Sequence, residues 1–156
     1  MTIVLNMNTI RLLNLFESIT NVPVKDCYVN NDTVYFIVEE GKIGLAIGKG
    51  GSSIKNVEKT IGKKVKVFEY SSNPIEFVKN LIPQAKEIGV INNNETIEIQ
   101  IKVDKSDRGF VIGRGGEKIK VYKEILKRVH NISDLKVKWW QGENFPQENL
   151  KKREKN

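Results

Sequence analysis

The stretch Ile43-Gly44-Leu45-Ala46-Ile47-Gly48-Lys49-Gly50-Gly51-Ser52-Ser53-Ile54-Lys55 returns as Arg108-Gly109-Phe110-Val111-Ile112-Gly113-Arg114-Gly115-Gly116-Glu117-Lys118-Ile119-Lys120, at a constant offset of 65 residues. Seven of the twelve positions from Gly44 to Lys55 are identical in the second copy. That spacing is too long for a solenoid unit and suits a small domain repeated once. In each copy a short apolar segment meets a glycine-rich turn, and a longer amphipathic helix follows. Glycines permit positive φ and close approach of another backbone, while the helix start beyond them turns free N–H groups and a positive dipole end outward. A phosphate backbone fits that surface, and Lys49 and Arg114 add charge without obstructing the glycines. The loop is not a P-loop, because only three residues separate Gly44 from Gly48 and Gly50 stands where Ser or Thr is needed. Nor is it a dinucleotide fingerprint, since Ser53 occupies the third glycine position and the preceding element reads as a helix.

The flanking sequence repeats in the same order. Leu12, Leu13, Leu15, Phe16 and Ile19 have the spacing of a one-faced helix, which Asn8 or Thr9 is expected to cap. A strand near Asp26 to Val29, an Asn30-Asn31-Asp32 turn and a strand from Thr33 to Val38 form a hairpin pattern. After the repeated motif, Gly62 ends a helix that starts at Ser52, and Lys64 to Tyr70 reads as a strand. Ser71-Ser72-Asn73-Pro74 is the join, with Pro in the first helical turn and Ser or Asn as the cap. The second unit has a helix near Ile75 to Leu81, a strand near Ile88 to Ile91 and a turn at Asn92-Asn93-Asn94. The strand from Thr96 to Val103 alternates Ile97, Ile99, Ile101 and Val103 with polar residues. A helix from Glu117 to about His130 and a strand from Leu135 to Trp140 close it. The expected domains are residues 1–72 and 73–140, docked through a short linker, with 141–156 a disordered basic tail.

Charge is concentrated where the motif lies. Residues 42–66 carry seven Lys against one Glu, and residues 102–128 carry nine Lys or Arg against four acids. Together these exceed the chain's net charge of +7, so the remainder is net acidic and the basic patches point to a polyanionic partner. The single cysteine, Cys27, excludes an internal disulfide and a Cys cluster for zinc, and reads as a buried structural residue. No stretch approaches a membrane span and no signal peptide is recognisable, so a cytoplasmic protein without a membrane partner is expected.

Ala46-Ile47-Gly48-Lys49-Gly50-Gly51-Ser52-Ser53-Ile54 and Val111-Ile112-Gly113-Arg114-Gly115-Gly116-Glu117-Lys118-Ile119 both resemble the KH family signature, an apolar residue and Ile before Gly-x-x-Gly, then a helix with Ile soon after. The helix and strand preceding each core resemble the type II arrangement. The resemblance implies an α+β fold of two type II KH domains, each a three-stranded sheet packed against helices. It also implies a loop that clamps single-stranded RNA beside an apolar groove. The RNA-binding set it implies is Ile47, Gly48, Lys49, Gly50, Gly51, Ile54 and Lys55, with Ile112, Gly113, Arg114, Gly115, Gly116, Ile119 and Lys120. Ile43 and Val65 would complete the first groove, and Val111 and the Val137 strand the second. A tandem of this kind resembles the archaeal NusA-like transcription factors; bacterial NusA proteins add further domains, among them an N-terminal polymerase-binding one. A monomer acting in elongation, pausing, termination or antitermination, with RNA polymerase as a protein partner, is implied by that resemblance alone. A ribosome- or rRNA-associated KH protein and a module used mainly for protein docking are the alternatives.

No catalytic residue, metal or cofactor is expected. His130 has no Cys or metal-ligand partner in sequence and reads as a surface or helix-end charge. Glu39, Glu40, Asp104 and Asp107 read as solvated caps. Trp139 and Trp140, as neighbours in a strand, should face opposite ways, one packed and one exposed. Lys63, Lys64 and Lys66 read as the solvated end of a strand that supports the first phosphate track.

Overall fold

The computed structural model describes residues 7–141; residues 1–6 and 142–156, which include all but the first residue of the tail expected over 141–156, lie outside the described residues. The first half comprises α1 (Met7–Thr20), β1 (Val24–Asn30), β2 (Thr33–Val38), α2 (Ile43–Ile47), α3 (Ser52–Ile61) and β3 (Lys64–Glu69). The second repeats that order as α4 (Pro74–Leu81), β4 (Glu87–Asn93), β5 (Thr96–Val103), α5 (Arg108–Val111), α6 (Glu117–His130) and β6 (Asp134–Trp139). Each half has its own three-stranded sheet, ordered β1-β2-β3 and β4-β5-β6. In both, an antiparallel hairpin supplies two strands and the third joins the middle one in parallel. The α+β architecture with two three-stranded sheets is therefore as the sequence implied.

Local chemistry sets the element ends. Asn31 and Asn94 take left-handed φ at the two hairpin tips, a conformation that Asn tolerates better than most residues. The Asn73 Oδ1 accepts from Ile75 N at 2.9 Å and Glu76 N at 3.3 Å, with Pro74 behind it, so Asn73 rather than a serine caps α4. Gly62 ends α3 with φ 78°, its N–H donating to Glu58 O at 2.7 Å. At the other end of the chain the expected caps are displaced. Asn8 and Thr9 lie inside α1, and Thr9 is buried. Asn92 and Asn93 belong to β4, because their backbones continue the ladder opposite Ile97 and Thr96.

The two sheets are covered differently. On β5, Ile99, Ile101 and Val103 are buried, while Glu98 and Lys102 on the other face make exposed-side ion pairs with Lys136 and Glu87 at 3.4 and 3.2 Å. On β2 every residue from Val34 to Val38 is buried. Val34, Phe36 and Val38 pack with Phe16 of α1 and Val57 of α3, where the Phe16 and Phe36 rings stack at 4.2 Å. Tyr35 and Ile37, on the opposite face, join the core built by α4, α6 and β5. The unbroken apolar run of β2 thus serves a sheet buried on both faces, as such runs do, and α6 is packed between the first sheet and the second.

The seam between the halves carries polar ties as well. Arg128 of α6 donates from Nη2 to Asp26 Oδ1 at 2.7 Å and to Cys27 O at 3.3 Å. Asp26 is 1% exposed, and burial pushes its carboxyl up despite the Arg128 guanidinium beside it. The Arg128 guanidinium also lies over the Tyr28 ring at 5.6 Å. His130, expected at the surface, is half-buried: its ring stacks on Tyr70 at 5.7 Å and its Nε2 lies 2.7 Å from Ser71 O in the join. Cys27 is buried, and its thiol is pushed up to about 12, first by burial and then by Asp26.

Candidate nucleic-acid interface

The two glycine loops are built alike. After α2, Gly48 has φ 78° and ψ 169°; after α5, Gly113 has φ 75° and ψ 175°. A single 3-10 turn follows in each, Lys49–Gly51 and Arg114–Gly116, closed by Gly51 N to Gly48 O at 3.1 Å and Gly116 N to Gly113 O at 3.2 Å. Gly50 and Gly115 have φ 61° and 63°, and Gly51 and Gly116 both have φ 76°. Positive φ at three of the four loop residues, at matching positions, explains why both copies need these glycines.

The glycines nevertheless differ in what surrounds them. A Cβ on Gly48 would stand 2.5 Å from Ser53 Oγ and 2.9 Å from Ser53 N, and one on Gly113 would stand 2.8 Å from Lys118 Cγ. The first glycine of each loop is therefore packed under the helix that follows. Gly50 and Gly115 have nothing within 4 Å of a built Cβ, so their backbones form the open crest of the loop. Neither α3 nor α6 has a side-chain cap at its start; backbone carbonyls take that place, Ser52 N and Glu117 N donating to Lys49 O and Arg114 O, and Lys118 N to Ile112 O at 3.1 Å. Lys49, Lys55, Arg114 and Lys120 are exposed around these crests. The combination of open backbone at the crests and exposed cations beside it can hold phosphate oxygens.

The apolar walls are less uniform than the sequence implied. Ile47 is exposed, and Ile43, Ile54, Ile112 and Ile119 are half-buried, so all five are available beside the loops. Val111 is fully buried, like its counterpart Ala46, because the inward side of each short helix must pack on the sheet. Val65 is also buried. The Val137 strand is β6, and the residue in it that answers to Val65 is Leu135, since Val65 pairs with Val34 and Leu135 with Ile99. The strand lies farther from its loop than β3 does mainly because α6 has 14 residues and α3 has 10. Trp139 and Trp140 are both half-buried, and Trp139 packs against the second core; neither is the exposed member expected of the pair.

Two residues were missed. Leu45 is 63% exposed and Phe110 is 61% exposed, at equivalent positions of α2 and α5. A four- or five-residue helix that buries only Ala46 or Val111 cannot cover its next apolar side chain, and that limit was available from the sequence. Elsewhere, Asp104 caps a 3-10 turn by accepting from Ser106 N at 3.1 Å, and this bond holds its carboxyl below the ordinary range. Among the described residues no group of three or more His, Cys, Asp and Glu side chains is arranged to hold a metal, and no helix is long and apolar enough to cross a membrane.

Comparison with known proteins bears on the same region. The family model described as KH domain matches residues 13–79, which include the first glycine loop. The probable transcription termination protein NusA of Methanocaldococcus jannaschii is 37% identical over 135 residues, covering 85% of this chain and 74% of that protein. The protein of the same name from Halococcus morrhuae is 32% identical over 138 residues, covering 88% of this chain and 99% of that protein. The crystal structure of APE1850 matches with a TM-score of 0.72 at 34% identity, over 86% of this chain and 100% of that one.

Proposed function

The chain belongs to the family of archaeal NusA-like KH-domain proteins, and from that premise we propose that it is a single-stranded RNA-binding transcription factor whose two glycine loops clamp one strand. Both repeats are KH domains on this reading, the first spanning residues 1–72 and the second 73–140. The observation that carries it is the agreement of the loops: equivalent glycines differ by no more than 3° in φ, so the second loop keeps the geometry of the one inside the matched family region. A loop kept only as a turn would not need three left-handed glycines, an open crest and a cation in both copies.

The contact set is Ile47 to Gly51, Ile54 and Lys55 in the first clamp and Ile112 to Gly116, Ile119 and Lys120 in the second. Gly50 and Gly115 present backbone to the ribose-phosphate chain, Lys49 and Arg114 neutralise it, and the isoleucines flank the bases. Two linked clamps raise the effective concentration of the second once the first is engaged. The part in transcription rests on the relatives, which are named for termination. On the same reading the protein acts without an enzymatic step, as a monomer in the cytoplasm, with RNA polymerase as a partner.

The test is a fluorescence-anisotropy titration with randomised single-stranded RNA and matched duplex RNA across a salt series. Gly50→Asp with Gly115→Asp puts a carboxylate on each open crest, and Asp tolerates the left-handed backbone there better than most residues. The wild type is expected to prefer single strands, with affinity falling as salt rises, and the double variant to lose at least about tenfold. Binding that ignores both glycine changes would sink the proposal and favour the protein-docking alternative.

A further inference from the structure

Two of the positions at which the repeats differ come together beside the second glycine loop. Leu45 and Ser53 of the first repeat stand where the second has Phe110 and Lys118. Phe110 is on α5, close before Gly113, and its ring is largely exposed. Lys118, in the first turn of α6, lies along the loop. Its Cγ is 2.8 Å from where a Cβ on Gly113 would stand, and its backbone N–H donates to Ile112 O at 3.1 Å. Its Nζ lies over the Phe110 ring, 5.8 Å from the centroid. An aromatic ring, a cation and the first glycine of the clamp thus form one contiguous surface. Leu45 and Ser53 offer neither a π face nor a charge.

The setting decides what can cover the ring. Over residues 105–120 the cations Lys105, Arg108, Arg114, Lys118 and Lys120 stand against only Asp107 and Glu117. Glu117 is already engaged, accepting from Asn31 Nδ2 at 2.7 Å. Lys118 is in no ion pair among the described residues. An apolar protein surface laid on Phe110 would take water from these cations and supply no partner for them. A nucleotide suits both features, because its base is a flat π surface and its phosphate is an anion.

We infer that Phe110 is a stacking platform for one base of the RNA strand held in the second clamp, and that Lys118 holds a phosphate beside that base. The base lies on the ring, outside the groove flanked by Ile112 and Ile119. A purine, with the larger π face, is preferred there. This inference rests on the clamp reading given above and deepens it. The two clamps are unequal, and only the second reads a base by stacking.

The experiment uses the full chain and a single-stranded RNA of randomised pyrimidines with one central 2-aminopurine, whose only purine sets the register. Stacking on an aromatic ring quenches the fluorescence of that base. Wild type and Phe110→Tyr should both quench it. Phe110→Leu, which copies the first repeat, should lose the quench and bind at least about fivefold more weakly. It should melt with wild type, since the ring is exposed, which separates loss of stacking from loss of fold. With an abasic nucleotide in place of the 2-aminopurine, Phe110→Leu should bind as wild type does, because ring and base act as a pair. Lys118→Met, which keeps an unbranched stem, should lower the salt slope by about 0.7, and an unchanged slope would remove Lys118 from the site. A quench that survives Phe110→Leu would overturn the platform, as would a wild type that binds randomised RNA without quenching the probe. If RNA binding is still lost in the Gly50→Asp and Gly115→Asp protein, the clamps then stand and Phe110 is left to a protein partner. A wild type that binds no single-stranded RNA would overturn both.

Discussion

At the scale of single residues, the glycine loops separate two uses of the same amino acid. Gly48 and Gly113 are needed for packing as well as for φ, because a Cβ would collide with the helix that follows. Gly48→Ala and Gly113→Ala should each cost about 2 kcal/mol by denaturant melts, whereas Gly50→Ala and Gly115→Ala, with open space, should cost about 1 kcal/mol from left-handed strain alone. His130 gives a pH prediction. Its burial disfavours the imidazolium and holds its pKa below the ordinary value, so its contribution to stability is complete above the unfolded histidine range near 6.5 and is lost as pH falls through the lower folded value. The melting temperature should therefore drop between pH 7 and 5, and drop less in His130→Phe, which keeps the ring stack without the titration. The glycine positions were legible because positive φ is written almost directly in the residue type. His130 was not, since its partners are distant in sequence: Tyr70 lies before the join, Ser71 within it and Phe77 on α4.

At the scale of elements, the order of helices and strands could be read from periodicity and turn residues, and the failures have a common cause. The second groove was assigned to a strand, the one holding Val137, and not to a residue within it, because the length of α6, 14 residues against 10 in α3, breaks the constant spacing of the repeat. Both tryptophans were assigned by strand alternation, yet β6 ends at Trp139 and the pattern stops with it. Alternation also hides the double burial of β2, where Phe36 and Tyr35 serve different cores. Phe36→Ala should cost about 4 kcal/mol, from lost transfer energy and the cavity left beside Phe16. Chemical denaturation would measure this directly; a loss below about 1 kcal/mol would mean that α1 packs less firmly on the sheet than the ring stacking indicates.

At the scale of the whole molecule, the seam makes the halves depend on each other. Arg128→Met should cost about 3 kcal/mol, because it leaves Asp26 buried without its cation. Adding Asp26→Asn should recover much of that loss, since the remaining side-chain oxygen can still accept from Cys27 N. A double-mutant cycle in urea measures the coupling, and additive costs would show that the pair does not couple the halves. The Asp26 Oδ2 and Arg128 Nε atoms have no hydrogen-bond partner among the described residues, so the pair is single-pronged, and its replacement by a neutral couple forfeits less than a bidentate pair would.

The two-sided burial of β2 also bears on how the chain is born. A ribosome adds about 5–20 residues per second, so several seconds separate the completion of β3 from the completion of α6. During that interval the first sheet can already fold on α1, α2 and α3, with Tyr35, Ile37 and Phe68 facing outward where α6 will later lie. The nascent half is a folded body with an adhesive side, and Lys66 sits on that side as a gatekeeper charge against premature self-association. Lys66, opposite Tyr35 in the ladder, thus puts a cation on that side before α6 has been made to cover it.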